Sequence, residues 1–315
     1  MPGFCRPGRC GAGKLQAGNL GGMATISRLT YYPVKGCAGT SVPSAEVTPA
    51  GLAHDREFLV AAPDGDFRSQ RRFPVMAAIR PRLVGGRLEL SAPGVEDLVI
   101  DVRKDGPRHP ASTFRWSGEG VHQGPAAAEW FSTVVGKPSV LLGVAPDHER
   151  VTSGETAGTA AFADGHAMLV ISESSLGSLN ERIAERGGEP VPMDRFRPNV
   201  VVRGWAEPHT EDAVRRLHAG AVEIAYANLC VRCAVPMVDQ ETGERSGPEP
   251  IRTLATYRRN DDGGVTFGMK AAVTKAGQLA VGDAVMVHSS AEPIRSTAAA
   301  EPPLTATASL PAESG

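Results

Sequence analysis

The sequence predicts a β-rich α+β fold: an N-terminal β-barrel-like domain packed on a second β-barrel domain that carries a few helices. Three observations predict it. Short apolar runs alternating at period two recur through most of the chain. They are punctuated by turns, for which 36 glycines and 25 prolines supply the residues. Only a few stretches hold a helical period long enough to bury one face. The 315 residues suit one large domain or two modest ones, and at 41% hydrophobic they can bury a substantial core.

The elements follow in order. Ile26 to Tyr32 alternates imperfectly and stops at Pro33, which cannot donate to a ladder. Glu57–Ala61 and Phe67–Ser69 flank Pro63-Asp64-Gly65, a hairpin signal. Gly85-Gly86 and Ala92-Pro93-Gly94 separate further short strands, as in an all-β barrel or sandwich. Residues 126–135 form the first convincing helix, with Trp130, Phe131 and Val134 on one face and Gly136 after its end. A strand over 139–143 follows. His148–Thr159 is polar and glycine-containing, which places a domain boundary near residue 150. Beyond it come a strand (Ala167–Ile171), a helix (Ser172–Arg186) and a strand (Pro198–Val202). Ser172 can cap that helix, and Glu173 suits the positive end of its dipole. Arg215–Ala225 is a hairpin turning at Ala219-Gly220, and Glu249–Tyr257 is a short helix with Pro250 in its first turn. Strands at Val265–Val273 and Ala284–Val287, joined through Val281-Gly282-Asp283, close the chain. There is no internal repeat. The expected division is a leader over 1–22, domains over 23–149 and 150–288, and a disordered Ala/Pro/Ser/Thr-rich tail over 289–315.

A net charge of −2 gives no bulk electrostatic reason for a nucleic-acid or membrane partner. The longest apolar runs, such as Ala167–Ile171, are too short to span a bilayer. The five cysteines show no disulfide-like spacing, which points to a reducing compartment and a cytoplasmic location. Residues 1–22 have no hydrophobic h-region and are not a signal peptide, and Met23 is a candidate start. Cys5 and Cys10 in that leader are either ligands or part of a disordered or mis-assigned segment.

Cys230 and Cys233 form the chain's only CxxC. Val222, Ile224 and Tyr226 approach it as a strand, and Pro236 keeps a regular helix from starting after it. A thioredoxin-type motif needs that helix, and a structural zinc site needs two more good ligands nearby. Neither is visible. One exposed thiol at a strand end suits a soft or high-valent metal carried by a cofactor. Cys230 is then a small buried apolar residue, with a resolving thiol as the alternative.

Several turn segments carry cations: Lys35-Gly36, Arg56, Arg71, Arg197 before Pro198-Asn199, and Arg232 between Val231 and Cys233. Such side chains beside glycine suit a phosphate, and arginine's fork pairs with two oxygens at once. Asp164-Gly165-His166 lies in a loop just before a strand, where an acid and backbone amides could read the edge of a heterocycle. Each cation taken alone reads more readily as a solvated or ion-paired residue.

Taken together the segments resemble the MOSC family, named for the C-terminal domain of molybdenum cofactor sulfurase. The two-part members with a MOSC N-terminal β-barrel domain are the nearest in pattern. Among these are bacterial reductases of N-hydroxylated compounds and the mitochondrial amidoxime-reducing components. The markers are Tyr-Pro-Val-Lys-Gly (32–36), Gly-Leu-Ala-His-Asp-Arg (51–56), Phe-Ala-Asp-Gly (162–165), Arg-Phe-Arg-Pro-Asn (195–199), Cys-Val-Arg-Cys (230–233), Glu-Pro-Ile-Arg-Thr-Leu (249–254) and Val-Gly-Asp (281–283). The resemblance spans residues 25–288.

It implies a molybdenum cofactor (Mo-molybdopterin) with Cys233 as catalytic metal ligand. It also implies a cofactor cradle of Lys35, Gly36, Arg56, Arg71, Asp164, Gly165, His166, Arg197, Asn199, Val231 and Arg232. The implied reaction is two-electron reduction of hydroxylamines, amidoximes and N-hydroxylated bases. Electrons would come from a separate flavoprotein reductase, ferredoxin or cytochrome, because the tail offers no iron–sulfur ligands. The chain departs from the family at Val231, which replaces a common serine and offers only its backbone. It departs again at Phe267-Gly268-Met269-Lys270, where Lys270 is expected to alter substrate preference. The alternative reading is a sulfur or cofactor carrier using Cys233. Asp239 could position a water near the metal, or simply build the turn over 239–243.

Overall fold

The computed structural model describes residues 23–114 and 116–291. The leader with Cys5 and Cys10, and the tail from residue 292, lie outside the described residues. The largest sheet has eight strands: β1 (Thr25–Tyr31), β2 (Thr40–Val42), β3 (Met168–Ser172), β4 (Val200–Arg203), β5 (Val214–Ala219), β6 (Val222–Val231), β7 (Thr266–Lys275) and β8 (Val285–Ser290). Their order is β2-β1-β4-β3-β7-β6-β5-β8.

Helix α2 (Glu173–Glu185) connects β3 to β4, which pair in parallel with Val170 opposite Val200. Parallel neighbours need such a crossover, since no tight turn can join them. The Ser172 hydroxyl accepts from the Ser175 amide at 3.1 Å, so the sequence-predicted cap starts α2. One face of the sheet packs Ile26, Val170, Val202, Ile224 and Met269 into the main core. The other face packs Ile171, Phe196, Cys230, Leu254 and Phe267.

Helix α1 (Pro125–Val135) ends at Gly136, whose φ of 69° is the left-handed conformation that glycine accepts most readily. It buries Trp130 and Phe131 against Phe58, Met76 and Leu141. That cluster belongs to a four-stranded antiparallel sheet (58–61, 140–143, 116–122, 108–113) and a three-stranded one (80–84, 87–91, 98–101). Among the described residues no helix is long and apolar enough to cross a membrane.

Three expectations need correction, and strand pairing crosses the expected boundary near 150. The first strand pairs with β4, so residues 25–42 belong to the sheet of the second half and the boundary near 150 does not separate the sheets. Period-two alternation marks a strand but not its partner. The hairpin turns at Gly220-Ala221, one residue later than predicted. The helix over 249–257 shrinks to Ile251–Leu254, after Pro250. Strand β8 runs to Ser290, past the predicted start of the tail. A strand at Gly277–Ala280, too polar to signal itself, pairs with Ser44–Thr48 and ties the N-terminal residues in again.

Candidate functional site

The site forms where chain segments leave the sheet at strand ends. Tyr32, just past β1, holds two cations over its ring. The Arg56 guanidinium lies 4.3 Å from the ring centroid and that of Arg197 lies 4.2 Å from it. The phenol donates to the Pro198 carbonyl at 3.1 Å. Burial pushes the Tyr32 hydroxyl up to about 12, against the lowering pull of Arg197 and Arg56, so it stays a neutral donor.

Arg56 and Asn199 are locked into a closed knot around Asp55. The Arg56 Nη1 donates to both Asp55 oxygens and, at 3.1 Å, to Asn199 Oδ1. Asn199 Nδ2 donates to Asp55 at 3.0 Å and to the Thr30 carbonyl at 3.1 Å. Its Oδ1 also accepts from the Leu169 amide at 3.1 Å. Asn199 therefore has no polar group left for a ligand and serves as the clamp between β1, β3 and β4.

Arg197 differs. It is only 8% exposed and sits in the left-handed region (φ 58°) after the 3-10 turn Met193–Phe196. Its Nη1 donates to Gln240 Oε1 at 3.2 Å, while Nη2 is buried with no partner. It makes no ion pair among the described residues. Burial lowers its pKa, and Tyr32 opposes that. A buried cation without a counter-ion carries a desolvation penalty of several kcal/mol. An anion arriving there would relieve it. A cleft of about 210 Å³ opens beside Tyr32 and Arg197, lined also by Arg28, Arg80, Asp194 and Gln240.

Arg232 adjoins this region through Phe196, whose carbonyl accepts from its Nη2 at 2.9 Å. Its Nη1 donates to the buried Cys230 Sγ at 3.0 Å, and its Nε is buried without a partner. Cys230 is thus an acceptor inside the core, whereas Cys233 is exposed and free. Val231, at the end of β6, is 52% exposed. Among the described residues no group of three or more His, Cys, Asp or Glu could hold a metal. A metal here would have one protein thiolate and bring its other ligands with it. Orphaned arginine nitrogens together with a free thiol fit a metal bound by a phosphate-bearing organic cofactor.

Lys35 is buried, and its Nζ donates to the Phe162 carbonyl at 2.8 Å and to Asp164. Burial alone would raise the Asp164 carboxyl, but Lys35 and then Lys270 hold it well below the usual carboxylate range. Gly36 needs its glycine: φ is 82°, and a Cβ would meet Met76 Cε at 3.1 Å. Arg150 fixes the next loop from beneath, donating to the Ala161 carbonyl at 2.9 Å, to that of Ala163, and to that of Asp164 at 3.3 Å. His166 Nε2 donates to the Ser153 carbonyl at 2.8 Å, which leaves Nδ1 to accept from the Thr152 hydroxyl at 3.0 Å. Both ring nitrogens are spent, and burial holds its pKa down. Its geometry is that of a neutral loop anchor.

Arg71 is not drawn into this network by its side chain. Its guanidinium lies 5.2 Å from the Phe114 ring centroid, on the rim. Its neighbour Gln70 reaches inward, donating to Gln240 at 3.1 Å. Asp239 builds a turn: Oδ1 accepts from the Glu241 and Thr242 amides at 2.9 and 3.0 Å, and Oδ2 pairs with Arg195 at 3.0 Å. Tyr32, Asp55, Arg150 and Gln240 were not singled out by sequence. Tyr32 and Asp55 do lie inside conspicuous segments, whereas Arg150 and Gln240 give no signal of their own.

Comparison with known proteins places the chain in a family. A family described as "MOSC N-terminal beta barrel domain" matches residues 23–138, and the "MOSC domain" matches residues 157–286. The chain belongs to the MOSC family. Its MOSC relatives include mitochondrial amidoxime reducing component 2 of Bos taurus, 31% identical over 84% of this chain and 83% of that protein. Mitochondrial amidoxime-reducing component 1 of Homo sapiens is 30% identical over 84% and 82%. A molybdenum cofactor sulfurase of Oryza sativa subsp. japonica is 29% identical over 78% of this chain but 32% of its own length. The two MOSC segments thus include both the Lys35–Arg56 side and the Cys233 side of the site.

Proposed function

We propose that this chain is a molybdenum-dependent oxidoreductase that reduces N-hydroxylated compounds such as amidoximes and hydroxylamines. The observation that carries the reading is Arg197, buried and without a counter-ion, linked through Phe196 and Arg232 to the segment that presents the free Cys233 thiol. The names of the relatives, amidoxime-reducing components covered over most of their length, support the same class of substrate.

Cys233 would supply the thiolate ligand, and Arg197, Arg232 and Lys35 would hold the phosphate and ring edge of the pterin. When bound, the molybdenum cofactor supplies two-electron oxygen-transfer chemistry at the N–O bond. For an amidoxime, the N–O bond breaks, two electrons and two protons enter, and an amidine and water leave. The Arg56–Asp55–Asn199 clamp keeps the strand ends in register, and the exposed side of Cys233 leaves room for substrate. The electrons would come from a separate flavoprotein, ferredoxin or cytochrome.

The test is reduction of benzamidoxime with reduced viologen as donor. Wild type is expected to be active, Cys233→Ala inactive, and Cys230→Ala largely active. Equal loss from both changes would favour a dithiol relay. A carrier role for Cys233 is the second reading, supported by its exposure, but a sulfur carrier has no need of the buried cations.

A further inference from the structure

The loop Asp164-Gly165-His166 is overlooked by a cation that the cofactor cradle does not employ. Lys270 lies on β7 directly opposite Leu169 of β3 and Asn228 of β6, so the three side chains form a row on one face of the sheet. Gly165 makes room for it: a Cβ there would stand 2.9 Å from Lys270 Nζ. The nearby carboxylate, Asp164, is already bonded to Lys35. Among the described residues the Lys270 ammonium makes no hydrogen bond or ion pair. Its charge still reaches the loop, lowering the pKa of both Asp164 and His166.

Asn228 completes the arrangement. Its Nδ2 lies 3.1 Å from His166 Nε2. The Ser153 carbonyl can only accept, so His166 Nε2 carries the hydrogen of that bond and has no lone pair for Asn228. The Asn228 amide hydrogens are therefore unspent. Lys270 and Asn228 are both half-buried, so neither side chain is sealed inside the core. Asn228 precedes Cys233 by five residues, roughly 17 Å at most along an extended strand.

We propose that Lys270 Nζ and Asn228 Nδ2 form an oxyanion seat that selects substrates bearing a carboxylate or similar anion remote from the group reduced. The inference rests on the reductase reading above. A phosphate of the cofactor would satisfy the same donors, so the test separates the two sources.

Wild type, Lys270→Gln and Lys270→Arg are compared on 4-carboxybenzamidoxime and benzamidoxime, with reduced viologen as donor. The ratio of kcat/KM for the carboxylated over the neutral compound is expected to fall roughly tenfold in Lys270→Gln. The fall should reside in KM, and Lys270→Arg should restore most of it. Pterin per chain should be the same in all three proteins. An unchanged ratio overturns the proposal. Loss of pterin from Lys270→Gln overturns it as well, by assigning Lys270 to the cofactor. If wild type reduces neither compound, the reductase reading has failed and binding decides this proposal alone. By calorimetry 4-carboxybenzamidine should then bind wild type roughly tenfold more tightly than benzamidine, with the advantage lost in Lys270→Gln. Equal affinities would overturn it.

Discussion

Two arginines lie over the Tyr32 ring, and their surroundings could hardly differ more. Arg56 sits in a closed knot: Asp55 neutralises it, Asn199 joins it, and every polar group of Asn199 has a partner. Arg197 is more deeply buried and has one neutral acceptor, no bonded acid and an orphaned nitrogen. In the first arrangement the protein itself neutralises the charge. The second is complete only with a ligand. Cations of the same type on the same ring thus divide into scaffold and binding site according to whether the protein itself satisfies them.

The sharpest way to break this division is at Asp55. Removing one partner of a buried pair leaves an uncompensated charge, which typically costs about 3–5 kcal/mol. Asp55→Ala should therefore melt far earlier than wild type by calorimetry. A variant with an unchanged melting temperature would show that the knot is not structural.

Arg197→Ala should do the reverse. The protein without cofactor should melt no earlier than wild type, because the change removes a buried, unpaired charge. Cofactor retention should fall roughly tenfold to a hundredfold, corresponding to about 1.5–3 kcal/mol for a charge-assisted bond. Early melting with normal retention would move Arg197 into the scaffold.

His209 sharpens the comparison by showing that an orphaned atom alone does not mark a binding site. Both its ring nitrogens are buried without partners, and the ring lies 5.8 Å from that of Tyr257 and 5.9 Å from that of Phe267. Burial, then Arg258 and Arg182, push its pKa down to about 3, so the folded protein holds it neutral. Only the unfolded chain takes up the proton as pH falls below its ordinary value of 6.5. This stabilisation is full above that value and is lost on acidification towards pH 3, by at most about 1.4 kcal/mol per unit. His209→Phe should flatten the pH dependence of the melting temperature between pH 4 and 6.5. An unaltered slope would contradict the neutral, buried state.

Much of this site was legible as residues and little of it as roles. Lys35, Arg56, Arg197 and Arg232 announce themselves as cations at turns. Nothing in the chain says that Asp55, one position from Arg56, neutralises one of them while Arg197 goes without. That depends on a partner brought from residue 199. Arg150 and Gln240 are invisible for the same reason, since their bonds run to segments distant in sequence. Strands β3 to β8 follow from alternation and turn residues. The assignment of β1 to their sheet does not, because alternation is local whereas pairing depends on the whole topology.

The measurement that bears most directly on the central claim is the molybdenum and pterin content of protein purified from a host that makes the cofactor. With one thiolate to offer, wild type should carry roughly one of each per chain. Arg197→Ala should carry much less of both while retaining its fold. Wild-type protein containing zinc and no molybdenum, or an Arg197→Ala variant as fully loaded as wild type, would contradict the account.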